Sequence, residues 1–271
     1  MRHWLARASV ASAPWAAMLV GAAHAAAPGP HIEDMTWPEL QGRIQAGSTT
    51  VLVPIGGTEQ NGPHMVLGKH NVRVRVLAAQ IAAKLGNAVV APVMAYVPEG
   101  AVSPPTAHMR FTGTITMTDA TFEAVLESTA RSFCQHGFRD VVFLGDHGGY
   151  QKNEERAATR VNADKATPAG CKAHALTEYY RATQGAYIDD LKARGLSMAE
   201  IGTHAGAADT SLALAVDAAL VRHDVMTRTA PRAQDGTYGD PRRATAELGQ
   251  LGVQRVVDAS VAAIRAFAPG R

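Results

Sequence analysis

The chain has 271 residues, of which 46% are hydrophobic and 18% charged, a composition typical of a globular protein rather than a disordered one. Its formal net charge is only +2, and two of its 26 basic residues, Arg2 and Arg7, lie in a leader-like segment, which leaves 24 basic against 24 acidic residues. This balance argues against a nucleic-acid partner, because such binding needs an excess of positive charge on one face.

Residues 1–25 have the features of a cleavable secretory signal peptide. A basic start is followed by a largely apolar stretch at 10–23 and by a small-x-small cleavage site at 23–25. An uncleaved membrane anchor or N-terminal helix is the alternative, but Pro14 and the short apolar run argue against a spanning helix. We therefore expect a periplasmic or secreted protein, free of the membrane, in which residues 26–271 form a single domain.

The rest of the chain alternates between helical patterns and short buried strands, which predicts an α/β fold with a mostly parallel sheet. Thr36, with a proline and a glutamate just after it, starts the first helix, which ends near Gly47. The predicted strands are 51–55, 88–92, 141–144 and 172–176. The other predicted helices are 71–85, 118–137, 152–163, 179–194, 207–220 and 243–267. Residues 96–112 are rich in proline and glycine and predict a long loop, which in a compact domain is usually functional.

The two cysteines, Cys134 and Cys171, each lie just before a predicted strand. Both therefore fall near the amino-terminal edge of the sheet, away from the turns that carry metal-capable side chains. A disulfide between them suits an oxidising compartment, although the sequence leaves the pairing open.

Three turns carry side chains that suit a functional site. The first strand runs into a glycine-rich turn that leads to Glu59, Asn61, His64 and His70; the third strand ends in Asp146 and His147; and a later turn holds His204 just before Asp209. Open α/β sheets bind ligands at the carboxyl ends of their strands, so we expect these turns to meet there.

Four of these residues form a candidate metal set: Glu59, His70, His147 and Asp209. Imidazoles and carboxylates that leave one position open are typical of hydrolytic zinc centres. His204 and Asp146 are then the candidates for moving protons. The alternative for each residue is a structural one, and Asp209 in particular suits a helix cap equally well.

The order of the motifs resembles the creatininase (creatinine amidohydrolase) family. The matching segments are GTEQNGPH at 57–64, HMRFTGTIT at 108–116, DHGG at 146–149, HAG at 204–206 with DTS at 209–211, and GDP at 239–241 with AT at 244–245. The resemblance implies a three-layer α/β/α sandwich and metal-dependent hydrolysis of a non-peptide, often cyclic, amide C–N bond. It also implies a homo-oligomer, often a hexamer.

The chain departs from the family pattern at the metal ligands. Glu59 and His147 stand where the family has ligands, but Asn61 replaces a second-metal histidine, His70 a bridging aspartate and Gly149 a glutamate. A neutral imidazole offers one lone pair and cannot bridge two ions as a carboxylate does. We therefore predict one ion per chain, zinc rather than manganese or iron, with Asn61, His64 and His108 as substrate-binding or ligand-supporting groups.

Three functions remain open from the sequence. The first is an amidohydrolase that acts on a small-molecule amide. The second is a metallopeptidase that trims short peptides, since water attacks a peptide carbonyl by the same chemistry. The third, prompted by Asn61 and His70, is a non-catalytic metal- or ligand-binding protein with a decayed site.

Overall fold

The computed structural model describes residues 29–228 and 230–267. The expected signal peptide, residues 1–25, lies outside the described residues and stays a prediction. Among the described residues, no helix combines the length and apolar character needed to cross a bilayer.

The centre of the fold is a sheet of four parallel strands. In chain order they are β1 (Thr50–Ile55), β2 (Ala88–Val90), β3 (Asp140–Gly145) and β4 (Lys172–Ala175). Their spatial order is β2-β1-β3-β4. The central strands β1 and β3 are buried throughout and pair residue by residue to their last positions, so their carboxyl ends lie side by side. The predicted parallel α/β fold is confirmed.

Helices cover both faces of this sheet. They are α1 (Trp37–Gln45), α2 (Lys69–Leu85), α3 (Asp119–Gln135), α4 (Gln151–Ala163), α5 (Thr177–Gln184), α6 (Ala186–Ala193), α7 (Met198–Ile201), α8 (Ala207–Val216), α9 (His223–Arg228) and α10 (Ala246–Phe267). Successive strand side chains point to opposite faces. Leu52 accordingly packs in the core formed with α2, α5, α6, α8 and α10, whereas Val51 and Val53 pack in the core formed with α1, α3 and α4. The fold is a three-layer sandwich.

Several predicted element bounds were wrong. The expected helix 179–194 is two helices, because Gly185 adopts a non-helical conformation (φ −121°, ψ −98°) between α5 and α6. Helix α8 ends before Asp217, whose backbone is extended and whose side chain accepts from Ala219 N at 2.8 Å to open a 3₁₀ turn. Strand β2 stops at Val90, two residues before Pro92, which has no N–H to continue the ladder. Helix α10 starts at Ala246, after a separate 3₁₀ turn at Pro241–Arg243.

A disulfide joins the end of α3 to the residue before β4. Cys134 and Cys171 are bonded, with their Cα atoms 5.6 Å apart. The bond lies at the amino-terminal edge of the sheet, opposite the carboxyl ends of β1 and β3. It therefore fastens one outer helix to an edge strand and takes no part in the candidate site.

The β2–α3 loop, residues 91–118, passes over the carboxyl end of β1. Ile115 N donates to Thr58 O at 3.0 Å, and Gln60 N donates to the hydroxyl of Thr114 at 3.2 Å. The two ends of the loop are joined by Met117 N, which donates to Val97 O at 3.2 Å. These bonds hold a long irregular segment against the turn that follows β1.

Candidate metal centre

The turns after β1 and β3 bring Glu59 and His147 together. The two strands end at the same level, and Asp146 N donates to Ile55 O at 3.0 Å, which fixes one turn against the other. Nε2 of His147 lies 3.6 Å from Oε2 of Glu59. The backbone N–H of Gly149 donates to Nδ1 of His147 at 3.1 Å and orients the ring. The expectation that these turns meet at one edge of the sheet is confirmed.

Two residues of the β2–α3 loop complete a compact group with them. We call Glu59, Glu99, His108 and His147 the donor cluster; their ligand atoms all lie within 4.8 Å of one another. Nε2 of His108 approaches Oε2 of Glu59 to 3.1 Å, but without the alignment of a hydrogen bond. Within the described part of the chain, Oε2 of Glu59 and both carboxylate oxygens of Glu99 have no hydrogen-bond partner.

Burial and charge set the protonation of this cluster. Burial lowers the pKa of His147 to about 3, so its ring is neutral near pH 7 and has a lone pair for an ion. Burial, and then the charge of Glu59, raises the pKa of Glu99 to about 9. Burial also acts to raise the pKa of Glu59, but the hydrogen bond from His70 and nearby positive charge outweigh it and hold that pKa well below its usual range.

A second group lies beside the first, at the start of α2. We call Lys69, His70, Arg73, Asp146 and Asp209 the ion-pair cluster. Nη1 of Arg73 donates to Oδ1 of Asp209 at 2.8 Å, and its Nε donates to Oδ2 of Asp146 at 2.9 Å. Lys69 is buried and pairs with Oδ2 of Asp209. Every acid of this cluster therefore has a cation of the same chain as its partner.

His70 and Asp209, predicted as metal ligands, are engaged in this cluster instead. Nδ1 of His70 lies 2.6 Å from Asp146 and its Nε2 lies 2.8 Å from Oε1 of Glu59. Both ring nitrogens therefore face groups of the chain, and Nδ1 also lies 3.1 Å from Nη2 of Arg73. Asp209 uses Oδ1 for Arg73 and Oδ2 for Lys69 and for Ala205 N at 3.1 Å. Neither residue belongs to the donor cluster, and their role as metal ligands stays a prediction.

Asp146, predicted to move protons, positions other side chains. It is buried and bonded to His70 and Arg73, and it accepts from the hydroxyl of Tyr179 at 2.8 Å. Burial acts to raise its pKa, but Arg73 and His70 more than offset this and lower it. Asp146 thus orients His70 rather than His147.

His204 reaches the donor cluster from the turn before α8. Its Nε2 donates to the backbone oxygen of Gln60 at 2.9 Å, and its Nδ1 lies 3.9 Å from Oε1 of Glu59. Burial lowers its pKa to about 4. Nε2 also lies 3.1 Å from the side-chain nitrogen of Gln60. In the tautomer that carries its proton on Nε2, the lone pair of Nδ1 faces Glu59. This geometry suits the proton-transfer role expected of His204.

Two other predicted residues support the turn after β1. The amide of Asn61 is buried and donates to the backbone oxygens of Glu59 at 2.9 Å and Val66 at 3.1 Å. His64 is buried against the hydroxyl of Thr210 at 2.9 Å, and burial lowers its pKa to about 4. Neither belongs to the donor cluster. His108, expected to be a supporting group, does belong to it.

Glu99 is the member that sequence reasoning missed. It follows Pro98 in the loop and matches none of the motifs quoted above. One signal was available: Glu99 is the single acidic or basic residue, histidine aside, between Lys84 and Arg110. An isolated charge in a long neutral loop indicates a special position.

A cavity of about 120 Å³ opens beside both clusters. Its wall includes His147 and His204, together with Lys69, His70 and Tyr180. Pockets for drug-sized ligands have volumes of about 300–1,000 Å³, so this cavity suits a small molecule or one end of a larger one.

The chain is similar to known hydrolases over most of its length. A family model described as "Creatininase: Creatinine amidohydrolase" matches residues 33–264. The mycofactocin precursor peptide peptidase of Mycolicibacterium smegmatis is 29% identical over 243 residues, which cover 82% of this chain and 86% of that protein. The creatinine amidohydrolase of Pseudomonas putida is 26% identical over 116 residues, which cover 43% of this chain and 44% of that protein.

A solved structure shares the fold. The structure of a manganese creatininase superposes with a TM-score of 0.75 at 24% sequence identity, covering 89% of this chain and all of that one. The sandwich is therefore creatininase-like. Because the family model spans nearly all the described residues, the chain belongs to the creatininase family, a family of metal-dependent hydrolases that act on carbon–nitrogen bonds.

Proposed function

We propose that this protein hydrolyses an amide C–N bond of a small molecule, with one divalent ion per chain held by Glu59 and His147. Zinc is the proposed ion, because a mixed carboxylate and imidazole set is typical of its catalytic sites. Manganese and iron are the alternatives. The hydrolytic domain is taken to be residues 26–271.

One observation carries the proposal. A carboxylate oxygen of Glu59 is buried without a hydrogen-bond partner in residues 29–228 and 230–267, and it faces neutral His147 beside a cavity. An unpaired buried carboxylate is costly unless a cation compensates it. The donor set thus fits an ion, and the cavity leaves space for a substrate next to it.

Support for one ion rather than two comes from the residues around Glu59. His70 uses both ring nitrogens on carboxylates. The amide nitrogen of Asn61 donates to two backbone oxygens, and its Oδ1, which has no partner among the described residues, is all that remains of the second-metal histidine of the family pattern. Gly149 has no side chain to contribute. A second ion therefore lacks the ligands that the family pattern supplies at these three positions.

A divalent ion bound here supplies Lewis acidity, which polarises an amide carbonyl and lowers the pKa of water. Residues of the chain transfer the proton and position the ligand. Nδ1 of His204, neutral near pH 7, accepts a proton at the cavity wall and returns it to the leaving nitrogen. The hydrogen bond from His70 fixes the Glu59 carboxylate so that its other oxygen stays directed at the cluster.

A peptide substrate is the second candidate. A relative that matches 82% of this chain is named as a peptide peptidase, whereas the similarity to creatinine amidohydrolase covers less than half of either protein. The same centre attacks a peptide carbonyl. The cavity lined by His147 and His204 has room for a small amide or for the terminal part of a peptide.

The test is hydrolysis of a panel of lactams, formamides and short peptides, with and without a chelator. We expect chelation to abolish activity and one equivalent of zinc to restore it. Glu59→Gln should lower kcat/KM by more than about 100-fold, the loss that follows even when a partner outside the ligand shell is removed. His136 is an exposed histidine outside both clusters, so His136→Gln should leave kcat/KM unchanged. Full activity after chelation would refute the proposal.

Location and assembly are part of the proposal. The leader-like residues 1–25 and the Cys134–Cys171 disulfide support a periplasmic or secreted protein. The family resemblance supports a homo-oligomer, a hexamer in particular. Mass spectrometry of the mature protein from the periplasm, and its mass in solution by light scattering, test both points.

A further inference from the structure

Glu99 is a buried carboxylate without a visible function in the fold. Its side chain is 3% exposed, and neither oxygen has a hydrogen-bond partner in the described ranges 29–228 and 230–267. A buried acid in this state loses its hydration without compensation. The position therefore costs stability unless something else binds the carboxylate.

The groups facing Glu99 are those that bind metals. Its ligand atom lies within 4.8 Å of donor atoms from Glu59, His108 and His147. Four donors around a tetrahedral ion at about 2.1 Å lie about 3.4 Å apart, so the present arrangement is a slightly expanded form of such a shell. A cation held between Glu59 and Glu99 stabilises both side chains as carboxylates in this buried site.

The backbone makes room for this carboxylate. Gly57, in the turn after β1, has a φ of +147°, and a Cβ built on it would lie 2.8 Å from Oε1 of Glu99 and 3.2 Å from a methyl group of Val97. Glu99 itself is held in place by its N–H, which donates to the hydroxyl of Thr116 at 2.9 Å. The side chain is thus directed into the cluster by the turn on one side and by its own loop on the other.

We infer that Glu99 is a ligand of the ion that Glu59 and His147 hold, and that His108 joins it from the same loop. The inference rests on the proposed function and adds Glu99, which lies in none of the sequence motifs, together with His108, which the sequence indicated only as a supporting group. The ion then binds the β2–α3 loop to the turns after β1 and β3. Metal binding therefore adds to the hydrogen bonds that already hold this loop against the turn after β1.

Glu154 provides a matched control. It is also a buried glutamate, 1% exposed, with neither oxygen partnered among the described residues. It lies on α4 against Gly145, outside the donor cluster. Glu99→Gln and Glu154→Gln therefore make the same chemical change at equally buried sites, and only the first removes a proposed ligand.

The experiment is a titration of the metal-free protein with Zn²⁺ and Co²⁺. The wild type should bind one equivalent. Glu99→Gln should weaken affinity by at least about 100-fold, more than the usual loss from a partner outside the ligand shell, and should change the visible spectrum of bound Co²⁺. Glu154→Gln should match the wild type in metal affinity and in the Co²⁺ spectrum. Glu99→Asp, which keeps the charge but shortens the reach, should be intermediate.

Hydrogen exchange gives an independent readout. Zinc should protect the amides of residues 97–117 in the wild type and in Glu154→Gln, but not in Glu99→Gln. If the wild type binds one ion and Glu99→Gln binds it with the same affinity, spectrum and protection, the inference fails while the proposed function survives. If the wild type binds no ion, both fail.

Discussion

The donor cluster and the ion-pair cluster share one cavity but differ in how their charge is balanced. The ion-pair cluster contains two aspartates and compensates them with Lys69 and Arg73. The donor cluster contains two carboxylates and two histidines, and three of its four carboxylate oxygens make no aligned hydrogen bond within the described chain. The charges of the ion-pair cluster are thus balanced by the chain itself, whereas the donor cluster is the group proposed to take a cation from solution.

His70 connects the two clusters. One ring nitrogen bonds to Asp146 and the other to Glu59. The ion-pair cluster therefore holds one carboxylate oxygen of the donor cluster in place. The ion-pair cluster therefore serves as a rigid support, and changes there should affect stability more than metal binding. Changes in the donor cluster should do the reverse.

The largest effect on stability should follow from Arg73→Met. Arg73 is buried and bonds to both Asp146 and Asp209, so its removal leaves one buried and one partly exposed carboxylate short of a partner. We expect a loss of about 3–5 kcal/mol in the free energy of unfolding, measured with urea. Arg75→Met is the control, because Arg75 lies on the same helix in a half-exposed pair with Glu33 and should cost less than about 1 kcal/mol. Equal losses would contradict the role given to this cluster.

A smaller loss in the free energy of unfolding should follow from Asp209→Asn. This variant also tests whether the two clusters have different roles. The change leaves buried Lys69 without its carboxylate and should cost about 2–3 kcal/mol. One equivalent of zinc should still bind with the affinity of the wild type, because Asp209 lies outside the donor cluster. Equilibrium metal titration beside urea unfolding measures both quantities. Loss of the ion would return Asp209 to the ligand set.

The sequence was most informative where local pattern determines structure. The apolar runs of β1 and β3 predicted two buried parallel strands, and parallel strands bring the residues after them to one edge, so the meeting of Glu59 and His147 followed. The helix break at Gly185 was missed because the helical pattern continues on both sides of it.

Residues whose role depends on distant partners were assigned less well. His70 has the chemistry of a ligand, and only the structure shows that Asp146 uses its second nitrogen, since 76 positions separate them. Glu99 enters the donor cluster because its loop is bonded to the turn after β1 through Ile115 and Thr114. The path of a proline-rich loop is set by such long-range bonds, which no local pattern records.

The smallest expected effect is on the pH dependence of the free energy of unfolding in the metal-free protein. His204 has a folded pKa of about 4 and an unfolded value of about 6.5, so below pH 6.5 the unfolded state binds more protons and stability is lost as the pH falls towards 4. The pKa values of Asp146 and Asp209 are lowered, so their contribution is lost only below their usual range near 3.8.

Glu99 acts in the opposite direction, because its raised pKa makes the folded state bind the extra proton between its unfolded value of 4.5 and about 9. The effect of His204 must therefore be read as a difference between variants. Between pH 7 and pH 5.5 the wild type should lose about 1 kcal/mol more unfolding free energy than His204→Gln, as measured with urea. His136→Gln, at an exposed position, should follow the wild type. Parallel pH profiles for all three proteins would show that the fold does not hold His204 in its neutral form beside the donor cluster.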